Sequence, residues 1–243
     1  MFQTLFVDPL FNVLIFLYDF ASFQDFGIAI ILLTTLIRIV FLPFFYKGAK
    51  NQIIIQRLQP EINKIQHDHQ HDREKQAQAL MELYRRHKVN PFSSFLMLFI
   101  QLPVLIAIYQ VFLRGFSPEL FDHLYAFVPR PEQLNSSLLG LIDLQEKSIL
   151  MVSFAAVAQY LQGHLALPAS QKSKEPSSAE KIARQMVYLG PVFTIAILSS
   201  LPSAVGLYWL VTSVFSIGQQ LYINKTLNLN QEKEEHGISK TKT

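Results

Sequence analysis

The sequence contains no cysteine, and only 16% of its 243 residues are charged. The lack of cysteine excludes disulfide cross-links, thiolate metal sites and thiol catalysis, because each needs a cysteine sulfur. Soluble domains carry charge on about a quarter of their residues. The low charge, together with 50% hydrophobic residues, argues against a disordered chain. What remains to be decided is whether the apolar residues are dispersed in a soluble core or gathered in membrane spans.

The apolar residues gather in five segments that have almost no charge. A helix rises about 1.5 Å per residue, so roughly 20 residues cross a bilayer core about 30 Å thick. Helices in soluble cores seldom lack charge over that length. We therefore predict an all-α, polytopic membrane protein with five transmembrane helices. The predicted spans are residues 26–46, 92–114, 148–167, 186–201 and 203–223.

The distribution of Lys and Arg between the loops predicts the orientation. Residues 46–91, 168–185 and 224–243 contain 17 Lys and Arg, whereas residues 1–25 and 114–147 contain 3. Basic loops stay in the cytoplasm. The protein is therefore predicted to have its N-terminus outside and its C-terminus in the cytoplasm.

The residue patterns outside the five spans predict how the N-terminus, the loops and the C-terminal tail are arranged. Asp8, Asn12 and Asp19 fall on one face of a helix, so residues 1–25 are predicted to form an N-terminal amphipathic helix in the interface plane. The lack of Lys and Arg there argues against a signal peptide. Two amphipathic patterns predict a cytoplasmic helical hairpin at residues 47–91. The other predicted parts are an extracytoplasmic loop at 115–147, a flexible cytoplasmic loop at 168–185 and a cytoplasmic tail at 224–243, which is either disordered or helical only in contact with a partner.

Three alternate histidines, His67, His69 and His71, lie between the two patterns of the hairpin. Such residues can converge on one metal ion from an extended segment or a turn. On a helix, residues two apart diverge, and a solvated polar turn is the favoured interpretation. No metal or other cofactor is therefore predicted.

Arg38 is the charged residue in the interior of the predicted spans. It lies roughly 12 Å from the cytoplasmic end of its helix. An intramembrane arginine is costly, so we expect it to face a wet cavity, or, as the alternative, carbonyls of a neighbouring helix. No Asp or Glu lies inside a span to pair with it, and Thr34 shares its helix face. Other polar side chains that could line the same space are Gln101, Gln110, Gln159, Thr212, Ser213, Ser216 and Gln219.

No catalytic signature accompanies these residues. The sequence has no HExxH, GxSxG or Walker motif. It also has no intramembrane carboxylate that could couple transport to protons. We therefore predict that the protein is not an enzyme and does not use nucleotide.

Five stretches of the chain, in the same order, resemble the YidC/Oxa/Alb family of membrane protein insertases. They are residues 30–43, 58–65, 83–91, 101–109 and 202–209, the last followed by Gln219 and Gln220. The likeness covers nearly the whole chain and is closest to the short bacterial form with five spans. The sequence departs from the family pattern at Ser93 and Ser94, where Gly-Cys is common, and at Thr212 and Ser213, where an Asn pair is common.

The resemblance implies a five-helix bundle with a hydrophilic groove that opens to the cytoplasm and the lipid. It implies insertion of nascent membrane proteins into the bilayer of the bacterial plasma (inner) membrane, alone or beside the Sec translocon. The hairpin is implicated in substrate or ribosome reception. The family's groove residues fall on Arg38, Thr34 and Gln159, with Tyr208 or Trp209 as the aromatic contact.

Two other functions remain open. One is a transporter or pore for a small solute, which solute flux from proteoliposomes would support. The other is an assembly chaperone that holds membrane proteins without inserting them. Crosslinks from Trp209 to nascent chains, without insertion by the purified protein, would favour that function. The expected partners are nascent membrane proteins and the lipid bilayer, and direct DNA binding is not expected.

Overall fold

The computed structural model describes a predominantly helical chain. Its backbone description covers residues 3–113, 118–131, 134–167 and 178–240. Within these ranges, side chains are described except at residues 94–98, 111–113, 118–120, 178–183 and 227–240. Parts of the predicted loops, residues 114–117, 132–133 and 168–177, therefore lie outside the described residues.

The first six helices follow one another with short connections, whereas the sixth and the seventh are separated by residues 114–148. In chain order they are α1 (Asp8–Phe20), α2 (Phe26–Val40), α3 (Leu42–Arg57), α4 (Gln59–Asp68), α5 (Arg73–Arg86), α6 (Ser93–Leu113), α7 (Ile149–Ala166), α8 (Ser178–Leu198) and α9 (Ser203–Lys240). A π-helical turn, Gln3–Val7, leads into α1, and a 3₁₀ helix covers Pro118–His123. Strands β1 (Ser137–Leu138) and β2 (Ile142–Asp143) form a small antiparallel hairpin.

Side-chain caps mark where three helices begin. The Oδ1 atom of Asp25 accepts a hydrogen bond from Ile28 N at 2.9 Å at the start of α2. Ser148 Oγ accepts from Met151 N at the start of α7, and Asp72 caps α5. Each cap satisfies an amide that has no partner within its own helix.

The first predicted span, residues 26–46, is not a single helix. α2 ends at Val40, α3 begins at Leu42, and the two helices are bent by 69°. Pro43 lies in the first turn of α3. In a continuous helix its ring would clash with the carbonyl four residues earlier, and it has no N–H to donate. The bend therefore follows from Pro43.

The main core lies between α1, α2, α6, α7 and α9. Phe26, Ile30 and Met151 are among its fully buried side chains. The contact between α7 and α9 depends on Gly206, where a Cβ atom would lie 2.9 Å from Met151 Cγ. Such a distance is shorter than a normal van der Waals contact, so glycine allows the two helices to approach closely.

A second, smaller core lies between α4 and α5. Leu58, Ile62 and Leu83 are buried there, as the apolar spacing of the two patterns predicts. His67 lies in the last turn of α4, while His69 and His71 lie in the connection to α5, and both His67 and His71 are exposed. Within the described ranges, no group of three His, Asp or Glu side chains could hold a metal ion.

Two of the three residues that define the polar face of α1 are shielded from water, and the third, Asp19, is half-buried. Asp8 and Asn12 are buried, and the Asn12 Nδ2 atom donates to His123 O at 3.0 Å. Asn12 Oδ1 accepts from Tyr125 N at 2.6 Å. The loop segment that contains His123 and Tyr125 thus covers the part of α1 whose polarity predicted an interfacial helix. The segment Gln3–Phe20 is also long and apolar enough to cross a membrane.

The described residues contain two helices long and apolar enough to span a bilayer, Gln3–Phe20 and Ile149–Ala166. The bent pair α2–α3 makes a third if it is counted as one span. Shorter apolar helices are Phe99–Gln110 and Arg184–Leu198.

Two predicted boundaries differ in the structure. α8 begins at Ser178 instead of residue 186, and α9 continues to Lys240 through the predicted tail, which has no proline to end it.

Candidate functional site

Arg38 lies near the end of α2 and is 6% exposed. Its guanidinium carbon is 4.3 Å from the centroid of the Phe45 ring, a cation–π arrangement that the bend between α2 and α3 creates. Among the side chains that the structure describes, no carboxylate lies within 4.0 Å of this guanidinium. The charge is therefore buried against an aromatic ring and not neutralised.

A cavity adjoins the guanidinium at the meeting point of α2, α3, α6 and α9. Its lining consists of Thr34, Ile37, Arg38, Phe45, Ile100, Gln101, Val104, Tyr208 and Thr212. The cavity between these side chains has room for about one water molecule. This arrangement is a narrow, partly polar crevice beside a buried charge.

The polar atoms of the lining differ in how well they are satisfied. Thr34 Oγ1 donates to Ile30 O at 2.7 Å, which is a bond within its own helix. Thr212 Oγ1 is buried, and in the described part of the chain its polar neighbour is the Tyr208 hydroxyl, at a geometry outside the normal range of a hydrogen bond. Buried polar groups normally have good partners, and a weakly paired one favours a polar guest or water at its side. The crevice can therefore accept a polar group.

A second polar cluster lies between α7, α8 and α9. Gln159 Oε1 accepts a hydrogen bond from Trp209 Nε1 at 2.9 Å and another from Thr194 Oγ1. Gly190 leaves space for this amide, since a Cβ atom there would lie 3.1 Å from Gln159 Nε2. We call Gln159, Thr194 and Trp209 the Gln159 cluster. Its hydrogen bonds join three helices.

The structure divides the predicted groove residues into two groups. Thr34, Arg38 and Tyr208 line the crevice, whereas Gln159 and Trp209 belong to the Gln159 cluster. Successive residues of a helix point about 100° apart, so α9 presents one aromatic ring to each group. Of the two aromatic candidates, Tyr208 is therefore the one beside Arg38. Gln159 and Trp209 do not line this crevice, and their place in a common groove with Arg38 stays a prediction.

Some crevice residues had no counterpart in the prediction. Phe45 is the most important of them, because its ring covers the guanidinium. The signal that could have found it is Pro43, which predicts a helix break and a change of direction after Phe41. Ile37, Ile100 and Val104 add apolar walls, for which the sequence gives no separate signal.

The apolar helices and the buried crevice define the class, a helical membrane protein. Comparison with known families agrees, because residues 16–232 match the model of the family described as 60Kd inner membrane protein. The chain therefore belongs to this family, which points to the bacterial inner membrane. The resemblance found from the five stretches is confirmed.

Individual relatives carry the name membrane protein insertase YidC. One from Pelobacter propionicus is 32% identical over 231 residues, which is 93% of this chain and 39% of the relative. One from Nitratidesulfovibrio vulgaris is 33% identical over 217 residues, or 88% of this chain and 38% of the relative. The chain thus spans about two-fifths of the length of these curated relatives.

Proposed function

We propose that this chain inserts hydrophobic segments of membrane proteins into the lipid bilayer, and that the crevice at Arg38 receives the polar part of the entering segment. The observation that carries the proposal is a buried arginine with no carboxylate among the described side chains beside it, at the edge of a partly polar crevice. The names of the relatives are consistent with this function.

The physical mechanism begins with the cost of moving polar groups into a bilayer. Unsatisfied polar groups in hydrocarbon cost several kcal/mol each, and a polar crevice lowers that cost part of the way across. Arg38 attracts acidic residues of the guest more strongly than it would in water, because its surroundings have a low dielectric constant. The apolar helix of the guest then leaves sideways into lipid, which supplies the driving free energy. The chain has no motif for nucleotide, and the mechanism needs none.

We further propose the five-span topology with the N-terminus outside and residues 47–91 in the cytoplasm. The hairpin of β1 and β2 supports it, because Leu139 N donates to Asp25 at the start of α2 while Ser203 Oγ, at the start of α9, donates to Asp143 O. Two helices that begin on one side agree with alternating spans. Reporter fusions after residues 70 and 130 should face opposite sides, and fusions on the same side would contradict the topology.

The helix ends opposite the β-hairpin also agree with this topology. Asn224 Nδ2 of α9 donates to Leu165 O near the end of α7 at 3.5 Å. The rings of Tyr46 and Tyr222 lie 6.4 Å apart, which brings α3 to the same end of the bundle. At this end the predicted cytoplasmic segments leave the bundle. We place substrate reception by α4 and α5 there, with the Sec translocon and the ribosome as further candidate partners.

The central experiment is insertion of a short single-span substrate into liposomes that contain only the purified protein. The substrate carries an acidic N-terminal segment, and protease protection reports its insertion. We expect Arg38→Ala and Arg38→Glu to reduce insertion and Arg38→Lys to retain part of it. Thr34→Val keeps the shape of the crevice wall, so it tests polarity without changing charge. Normal insertion by Arg38→Glu would show that charge attraction is not the mechanism.

The same liposomes distinguish the two alternative functions. Release of a trapped small solute, without insertion of the substrate, would favour a transporter or pore. Crosslinks to the nascent chain, again without insertion by the purified protein, would favour a chaperone. Either result would replace the insertase proposal.

A further inference from the structure

The turn of the β-hairpin carries large apolar side chains that are exposed. Leu139 is 64% exposed and Leu141 is 82% exposed. Leu141 N donates to Leu138 O at 2.9 Å, which closes a tight turn around Leu139 and Gly140. Both central residues have positive φ, 52° for Leu139 and 69° for Gly140. The tip of the hairpin is therefore apolar, tightly turned and not covered by the residues that the structure describes.

A leucine is an unexpected residue at the first central position of this turn. Turns with two positive φ values favour Asn-Gly or Asp-Gly, because a bulky side chain is strained in the left-handed region. Leu139 is largely exposed, so packing within the chain does not compensate that strain. Phe23 shows the same combination, with φ 53° and 94% exposure. No described part of the chain covers these side chains, so their apolar character becomes favourable through a contact beyond the described residues.

The hairpin is fixed to the beginning of α2. Leu139 N donates to Oδ2 of Asp25, whose other oxygen caps the helix at Ile28 N. A Cβ atom at Gly27 would lie 2.5 Å from Leu138 Cδ1, so the hairpin rests directly on the first turn of α2. The turn therefore lies at the same level as the N-terminal end of α2. In the proposed topology, that end is where α2 enters the bilayer.

We propose that Leu139, Leu141 and Phe23 contact lipid at the boundary between headgroups and acyl chains, on the side where α2 begins. They hold this end of α2 at a fixed depth. The bilayer is the occupant because the same helix continues with an exposed apolar face, including Leu36, which is 43% exposed. Apolar side chains at that boundary leave water, while the turn's backbone stays among polar headgroups. The inference rests on the proposed membrane-spanning placement of α2.

Single-cysteine labelling tests the anchor directly, because the chain has no cysteine of its own. A nitroxide is attached to Leu141→Cys, Leu36→Cys or Asp122→Cys in liposomes of phosphatidylcholine and phosphatidylglycerol. Oxygen concentrates in lipid and a nickel chelate stays in water, so the ratio of the two accessibilities reports depth. The side chain of Asp122, 73% exposed, provides the water reference, and Leu36 provides the lipid reference.

We expect the accessibility ratio at Leu141 to exceed that at Asp122 by about threefold or more, since interfacial side chains lie about 5–10 Å deep. Equal ratios at Leu141 and Asp122, with Leu36 in lipid, would overturn the anchor and leave the insertase proposal intact. Low accessibility of Leu141 to both reagents would show contact with a protein, and would also overturn it. A water-accessible Leu36 would overturn the anchor and the proposed span together.

A paired variant tests whether the contact sets the depth of α2. Leu139→Asn introduces a residue that the turn favours, so folding is retained, and Leu141→Ser removes the second apolar contact. With both changes, the ratio of a label at Ile28→Cys should change by about twofold as this end of α2 loses its fixed depth. An unchanged ratio would show that the turn does not hold α2. The variant Leu139→Asn alone, with Leu141 kept, serves as the control for the turn.

Discussion

Two buried polar regions lie on different sides of α9, and they differ in whether their polar atoms have partners. In the Gln159 cluster, one amide oxygen accepts from Trp209 and Thr194, so three helices are joined. In the crevice, Arg38 faces the ring of Phe45 and no described carboxylate. Satisfied polar groups stabilise a bundle, whereas an unneutralised buried charge is costly. The difference suggests that the first region holds the helices together and the second receives a guest.

The largest expected effect comes from reversing the charge in the crevice. Arg38→Glu should lower insertion of a substrate with an acidic N-terminal segment by about tenfold or more, equivalent to about 1.4 kcal/mol. The same variant should insert a substrate whose N-terminal segment is basic better than the unmodified protein does. Protease protection in proteoliposomes measures both substrates. Equal losses for both substrates would mean that Arg38 supports structure and does not attract the guest.

The second prediction contrasts stability in the two regions. Gln159→Leu leaves Trp209 Nε1 and Thr194 Oγ1 without their acceptor, so the free energy of unfolding should fall by about 0.6–2 kcal/mol. Arg38→Gln removes a buried charge, so the free energy of unfolding should stay the same or rise. Unfolding in detergent, followed by circular dichroism, compares the two variants.

The activities of those variants complete the comparison. Arg38→Gln should lose insertion although it is folded, and Gln159→Leu should insert normally at temperatures where it is folded. If Gln159→Leu loses insertion without losing stability, Gln159 contacts the guest, and the division between the two regions is wrong.

A smaller effect is expected from the ring that covers the guanidinium. Phe45→Leu keeps an apolar wall and removes the cation–π contact, which is worth about 0.5–2 kcal/mol. Because Arg38 is then held less firmly, insertion should fall about twofold. Phe45→Tyr should preserve both stability and insertion. Phe44→Leu is the matched control, since Phe44 is 48% exposed and does not line the crevice. An equal effect of Phe44→Leu would contradict a specific role for Phe45.

The smallest effect concerns the space beside Gln159. Gly190→Ala should push the Gln159 amide by a few tenths of an ångström, since the added Cβ would lie 3.1 Å from Nε2. Gly218→Ala meets nothing within 4 Å and should gain about 0.5–1 kcal/mol from helix propensity. We expect Gly190→Ala to gain less than this or to destabilise the protein.

Pro191 follows Gly190 within α8, and the residue before a proline is disfavoured in the helical region when it carries a Cβ atom. A double-mutant cycle separates this backbone effect from the clash with Gln159. With Gln159→Ala present, the amide is gone, and the part of the Gly190→Ala penalty that comes from contact should disappear. A penalty of the same size in both backgrounds would show that Gly190 does not serve the Gln159 cluster.

Much of the crevice could be predicted because its signal is local. Arg38 stands out as a charge within an apolar segment, and Thr34 follows from helical spacing. The match to the family stretches added Tyr208 or Trp209, and in the structure Tyr208 is the one that lines the crevice. The prediction does not include Phe45, because the predicted first span continues straight through Pro43 and so lacks the bend between α2 and α3.

Gln159 shows the opposite limit. A polar residue in an apolar segment can line a groove, or it can form a hydrogen bond to a neighbouring helix. The sequence pattern is the same in both cases, so it does not decide which role Gln159 has. The face of α1 that carries Asp8 and Asn12 is a similar case. Its polarity predicted contact with water, but the loop supplies His123 O and Tyr125 N instead. A helical wheel gives the direction of a side chain and not the identity of its partner.

The sequence by itself determined the helical class, the apolar segments, the family and the presence of a costly charge at Arg38. Each of these follows from residue type and spacing along one segment, which hydropathy and helix periodicity report directly. Only the tertiary structure decided which polar residues share a space. It separated Gln159 and Trp209 from Arg38 and turned Phe45 over the guanidinium. The physical reason is that the angle at the Phe41 break and the rotation of α9 depend on packing between helices distant in sequence.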